Sequence, residues 1–198
     1  MTVRDDGAMF LLYAVLAGLL IGAVTRGSAT RLGDLRFAWT PLIVAGMMTQ
    51  LLLFWTSLGD ALGPWAVVLY VASNIAVLLA VGRNLAIPGL WVVLVGGASN
   101  LLAISVNGGY MPANPDALAV LGHVPTDEFS NSSVVANAVL WPLTDLFAMP
   151  AWLPLANIFS VGDVLIGTGA AIAVVAAMHG HGPLEPRPAD DVGSGKPA

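Results

Sequence analysis

The chain has no cysteine, three histidines and little charge, with only 10% of its 198 residues being Asp, Glu, Lys or Arg. The absence of thiols excludes disulfides and thiolate metal sites. His123, His179 and His181 show no metal-ligand spacing, so neither metal nor cofactor is expected. The shortage of charge excludes an ordinary soluble domain, in which about a quarter of residues are charged. A net charge of −5 argues against nucleic acid as a partner, because a phosphate backbone selects basic surfaces.

Hydrophobic residues make up 57% of the chain and fall into long runs at 8–24, 37–57, 65–82, 85–106 and 158–178. Runs of about 20 apolar residues are long enough to span a bilayer, so the expected fold is all-α, a polytopic transmembrane bundle of about five spans. Pro41 and Pro64 sit near the starts of the second and third runs, where a missing N–H does least harm. Arg26, Arg31, Arg36 and Arg83 lie between runs one and two and between runs three and four. Because cytoplasmic loops carry the excess of Lys and Arg, residues 1–7 and 107–157 are expected outside and the tail 179–198 inside. The tail is rich in Pro and Gly and is expected to be disordered. Pro142, Pro150 and Pro154 suggest a short helix in 131–157 followed by a re-entrant or surface-lying stretch.

Polar and small residues inside the runs carry the next layer of information. Ala14, Gly18 and Gly22 repeat every four residues, a small-residue stripe against which a neighbouring helix can pack closely. Gln50, Asn74 and Asn100 place amides within spans, and the tripeptide Ala-Ser-Asn recurs at 72–74 and 98–100. Such amides serve either as interhelical hydrogen-bond glue, worth roughly 1 kcal/mol each, or as the lining of a substrate path. The turn Asn107-Gly108-Gly109-Tyr110-Met111-Pro112 reads as a helix C-cap or as a lip presenting Asn107, Gly108 and Gly109 to a substrate. His123, in the loop that follows, reads as a solvated residue.

Asp145 and Asp163 stand beside apolar segments rather than in polar tails. A carboxylate near hydrocarbon loses hydration worth several kcal/mol, so each is a candidate functional group. A plainer account is also available: Ser160-Val161-Gly162-Asp163 has the spacing of a capping box at the start of the last helix. Capping leaves open why both acids flank one proline-rich bend that folds back to the same membrane face.

The stretch Asp145–Gly169, with Phe159-Ser160-Val161-Gly162-Asp163 followed by Ile166, resembles the C-terminal signature of signal peptidase II, the bacterial lipoprotein signal peptidases. That resemblance implies Asp145 and Asp163 as a catalytic dyad and Ser160, with Asn107, Gly108 and Gly109, as substrate-binding residues. It also implies a lipoprotein-like substrate, a bacterial plasma (inner) membrane location and no cofactor. In such a dyad one carboxyl keeps a proton while the other activates water against a peptide carbonyl. Ser160 stands where that family has Asn, and Gly162 where it has Ala. Over its whole length the chain looks like an uncharacterised family of small bacterial membrane proteins sharing Asn-Gly-Gly-x-Met-Pro and Ser-x-Gly-Asp motifs. That family brings no function with it. The expectation is therefore a non-enzymatic accessory, assembly or transport-related protein with a possible membrane-protein partner, and the aspartic peptidase is the alternative.

Overall fold

The computed structural model describes residues 6–121, 132–133 and 137–182. His123, residues 1–5 of the N-terminal tip and most of the tail lie outside them. The chain is mostly helical. Five longer helices are α1 (Asp6–Val24), α2 (Thr40–Trp55), α4 (Pro64–Arg83), α5 (Leu90–Val106) and α7 (Val161–Met178). Short helices α3 (Leu58–Leu62) and α6 (Pro115–Val120) connect them, together with the two-residue strands β1 (Met111–Pro112), β2 (Ser132–Ser133), β3 (Phe147–Ala148) and β4 (Ile158–Phe159).

Proline starts helices here, as its fixed φ and missing N–H favour the first turn. Pro41, Pro64 and Pro115 each occupy an opening position of α2, α4 or α6, and Asn114 caps α6 by accepting from the Asp116 N–H at 2.8 Å. The apolar run 85–106 becomes helix only at Leu90, because Pro88 lacks a donor and Gly89 adopts φ 89°. Below that break, the side chain of Asn84 accepts from the Ala38 N–H at 2.7 Å and donates to the Ala38 carbonyl at 2.9 Å, fixing the entry into α2.

Neighbouring helices form a row in the order α1, α7, α5, α4, α2, which is not the chain order. The stripe on α1 faces α7: a methyl group added at Gly18 would lie 2.9 Å from the Ala171 Cα, and one at Gly22 would overlap Met178. The α5–α7 contact is closer still. Methyl groups at Gly96 and Gly169 would come within 2.5 and 2.6 Å of the Gly162 and Gly89 carbonyls. Small residues seven apart on each helix therefore let two backbones meet. The ends of the row, α1 and α2, share no packed seam among the described residues.

The end of the bundle where α5 finishes and α7 begins, called the upper end here, carries a cap in place of the short helix expected within 131–157. The described part of that stretch holds no α-helix. It has a 3-10 turn at Trp141–Leu143 and an antiparallel pairing of Phe147 with Phe159 and Ala148 with Ile158. Pro142, Pro150 and Pro154 interrupt the donor sequence a helix would need. The pair of strands is tied to α1 by stacking of Phe10 on Phe159, with centroids 4.7 Å apart, and by the Tyr13 hydroxyl donating to the Pro154 carbonyl at 2.7 Å.

Two helices are long and apolar enough to cross a membrane, Pro64–Arg83 and Val161–Met178. Met9–Val24, Thr40–Trp55 and Leu90–Val106 are shorter apolar helices. All six tryptophans of the chain are exposed. Trp39 and Trp91 stand at the lower end, at the starts of α2 and α5, while Trp55, Trp65, Trp141 and Trp152 stand at the upper end.

Candidate functional site

The helical row curls around a cavity of about 480 Å³ whose lining comes from all five longer helices and the cap. Every intrahelical amide and both acids singled out in the sequence reach it: Gln50 from α2, Asn74 from α4, Asn100 from α5, Asp163 from α7 and Asp145 from the cap. Along α4 the lining runs from Tyr70 to Val81, a rise of about 16 Å. Polarity is graded along that length. Asp145, Asp163 and Asn100 lie toward the upper end, and Val77, Val81 and Val93 line the lower half.

Asp163 owes its position to the first turn of α7. Ser160 is the N-cap: its Oγ accepts from the Asp163 N–H at 3.0 Å, and the Ser160 N–H donates to Asp163 Oδ2 at 2.8 Å, completing the capping box. The other carboxylate oxygen, Oδ1, accepts from the Asn100 side-chain amide at 2.8 Å, a contact made possible by the close approach of α5 to α7. The Ser160 hydroxyl has one hydrogen and two acceptors, Asp163 Oδ2 at 2.8 Å and Asn100 Oδ1 at 2.9 Å. It serves one of them at a time. Ser160 is completely buried, so its role here is to hold Asp163 and Asn100 together.

Asp145 is placed by irregular backbone. Its N–H donates to the Pro112 carbonyl at 3.0 Å and its carbonyl accepts from the Asn114 N–H at 2.9 Å, so it pairs with Ala113 in an isolated bridge. Only 3% of the residue is exposed, and it lines the cavity beside Met111. Thus two acids that are eighteen positions apart in sequence face one space from different supports.

Asn107 and the two glycines serve the edge of this site and are not among the cavity lining. The Asn107 side chain donates to the Ala103 and Val139 carbonyls at 2.8 and 2.9 Å and accepts from the Val139 N–H at 2.8 Å, stapling the end of α5 to the segment that leads to Asp145. Gly109, at φ 94°, returns its N–H to the Ile104 carbonyl at 2.9 Å and packs where a side chain would overlap Val67. Gly108 also takes positive φ, at 81°.

Two amides keep capacity for a ligand. Among the described residues, Asn74 donates to the Tyr70 carbonyl at 2.9 Å and has no partner for its oxygen, and Gln50 makes no side-chain hydrogen bond. No group of three His, Asp or Glu side chains that could hold a metal occurs among the described residues. The contact between Asn100 and Asp163, 63 positions apart, was not signalled by sequence spacing. The repeated Ala-Ser-Asn did mark two of the amides that face the cavity.

Comparison with known proteins adds a family. An uncharacterised protein of Thermotoga maritima is 31% identical over 120 residues, a match covering 57% of this chain and 66% of that protein, just under two thirds of its length. No solved structure matches the chain. Residues 34–175, well over half of the sequence and including α2, α4, α5 and most of α7, match a family of unknown function, and the chain belongs to that family, DUF5317.

Proposed function

We propose that the protein is a multi-pass membrane protein of the bacterial plasma membrane whose five apolar helices surround a binding cavity for an amphiphilic molecule, as a non-enzymatic, transport-related or accessory function requires. The observation that carries the proposal is convergence: polar groups from α2, α4, α5, α7 and the cap face one cavity of about 480 Å³. Amides acting only as glue would be spent on neighbouring helices. Gln50 and the Asn74 oxygen are not.

Membrane residence is supported by two features. Only 22% and 33% of the most apolar stretches of α4 and α7 are buried, whereas the core helix of a soluble protein would be mostly covered. The six exposed tryptophans fall in two levels at the helix ends, the distribution favoured at the two membrane interfaces. The arginines of the lower end, Arg26, Arg31, Arg36 and Arg83, support the reading in which that end faces the cytoplasm.

The ligand's character follows from the cavity. Carboxyl groups and amides at the upper end suit a head that donates hydrogen bonds or carries positive charge, and repel a phosphate. The aliphatic lower half suits a single hydrocarbon chain. The gap between α1 and α2 gives such a molecule a route from the bilayer. The test is native mass spectrometry of detergent-purified protein for a co-purifying amphiphile. Wild type is expected to retain it, and a Gln50→Leu, Asn74→Leu double variant to lose it. Identical small-molecule complements in the two would sink the proposal.

A second reading, an aspartic peptidase similar to signal peptidase II, is favoured by one observation, that Asp145 and Asp163 line the same cavity. Against it, both Asp163 oxygens are already engaged by Asn100 and Ser160. Cleavage of a membrane-spanning or lipid-modified peptide by reconstituted protein, lost in both Asp145→Asn and Asp163→Asn, would establish the peptidase; cleavage unchanged in either variant would remove the dyad.

A further inference from the structure

A second concavity, of about 470 Å³, opens on another face of α4 and α5. Its walls are aliphatic, from Ile75, Leu78, Leu79, Leu94 and Leu101, and at its lower end stand Arg83 and Trp39. Arg83 is exposed and makes no hydrogen bond or ion pair among the described residues. Trp39 is 52% exposed and adopts φ 60°, ψ 29°, a left-handed conformation rare for a bulky side chain. The strain is held in place from α4. Asn84, next to Arg83, grips both the N–H and the carbonyl of Ala38 and also donates to the Ala80 carbonyl at 2.7 Å. Asn84, the C-cap of α4, thus anchors the chain one residue before Trp39, whose side chain lines the slot together with Arg83.

We propose that this groove is a binding site for an anionic phospholipid, one acyl chain lying against the leucines and the phosphate on Arg83. A guanidinium matches phosphate oxygens with two parallel N–H donors, and an indole at headgroup depth keeps its ring in the interface and its N–H toward polar groups. Charge decides among lipids: the groove carries one cation and no acidic residue, so a net-negative head is favoured over a zwitterionic one. The floor has room for the chain, since a methyl group at Gly82 would meet nothing within 4 Å. This groove has only Leu78 in common with the lining of the cavity, whose acids favour the opposite charge, and it shares the premise that the protein resides in a membrane.

The full chain, purified in mild detergent, is titrated with dioleoylphosphatidylglycerol or dioleoylphosphatidylcholine and bound lipid is counted by native mass spectrometry. Wild type is expected to retain the anionic lipid roughly fivefold more than the zwitterionic one, the size of one lipid–cation contact. Arg83→Gln should abolish that preference. Gly82→Leu, which fills the groove from a position with open space, should reduce retention of both lipids without lowering the melting temperature. Excess glycerol phosphate should not displace the bound lipid. Retention of the anionic lipid at wild-type level by Arg83→Gln or by Gly82→Leu would overturn the site, and so would displacement by glycerol phosphate, which would make it a plain phosphate site. A protein that stays in solution after detergent removal would instead defeat the membrane reading, and the groove with it.

Discussion

The two supports that carry acids to the cavity are built on different principles. Asp163 sits in a helix start whose every polar group near it is engaged, with the capping box closed on one side and Asn100 on the other. Asp145 sits on a run of irregular chain positioned by backbone bonds to Pro112 and Asn114 and by the Asn107 staple at Val139. In the first case the side chain is itself part of the scaffold. In the second the scaffold is main chain, and the side chain is carried by it. The first carboxylate is fixed within the turn that it helps to cap, whereas the second is delivered to the cavity by a bridge between distant segments of chain.

The largest effect should come from separating the helices under Asp163. Gly162→Ala would push a methyl into the Asn100 amide and the Gly96 carbonyl, forcing two backbones apart, and is expected to cost about 3 kcal/mol, the upper range for overpacking a tight contact. Thermal unfolding in detergent reads it. Asp163→Ala should follow at about 2–3 kcal/mol, since it removes the carboxylate half of the capping box and leaves the Asn100 and Ser160 donors buried without their acceptor. A variant as stable as wild type would end the claim that this carboxylate is structural. Asn107→Ala is expected to cost about 1–2 kcal/mol and, more tellingly, to speed hydrogen exchange at the Val139 amide, whose acceptor it deletes. The smallest change in hydrogen exchange is expected at the Asn114 amide in Asp145→Asn, because its acceptor, the Asp145 carbonyl, survives the substitution. Exchange there as fast as that of the Val139 amide in Asn107→Ala would mean that the side chain, and not the main chain, holds this bridge.

What was legible in the sequence was local. Prolines at helix starts, the stripe Ala14, Gly18, Gly22 and the Ser160–Asp163 box each act within a turn or two, so spacing alone exposes them. The amides Gln50, Asn74 and Asn100 were visible as polar groups in apolar runs, but their common cavity depends on the order of helices in the row, which spacing does not encode. Strands of two residues have no alternation to detect, and the cap was therefore expected as a helix plus a surface stretch. Asn84 read only as part of a turn, because its partner Ala38 lies 46 positions away.

The placement of α1 against α7 has a consequence for how the molecule is made. The principal neighbour of the first helix is the last, whereas α2, α4 and α5 find one another within a short stretch of chain. At a synthesis rate of about 5–20 residues per second, the interval between emergence of Gly18 and of Ala171 is roughly 8–30 seconds. Throughout that interval the glycine face of α1 is without the helix that it packs against. The trio α2, α4 and α5 can therefore assemble first, and α7 completes the row by joining α1 to α5.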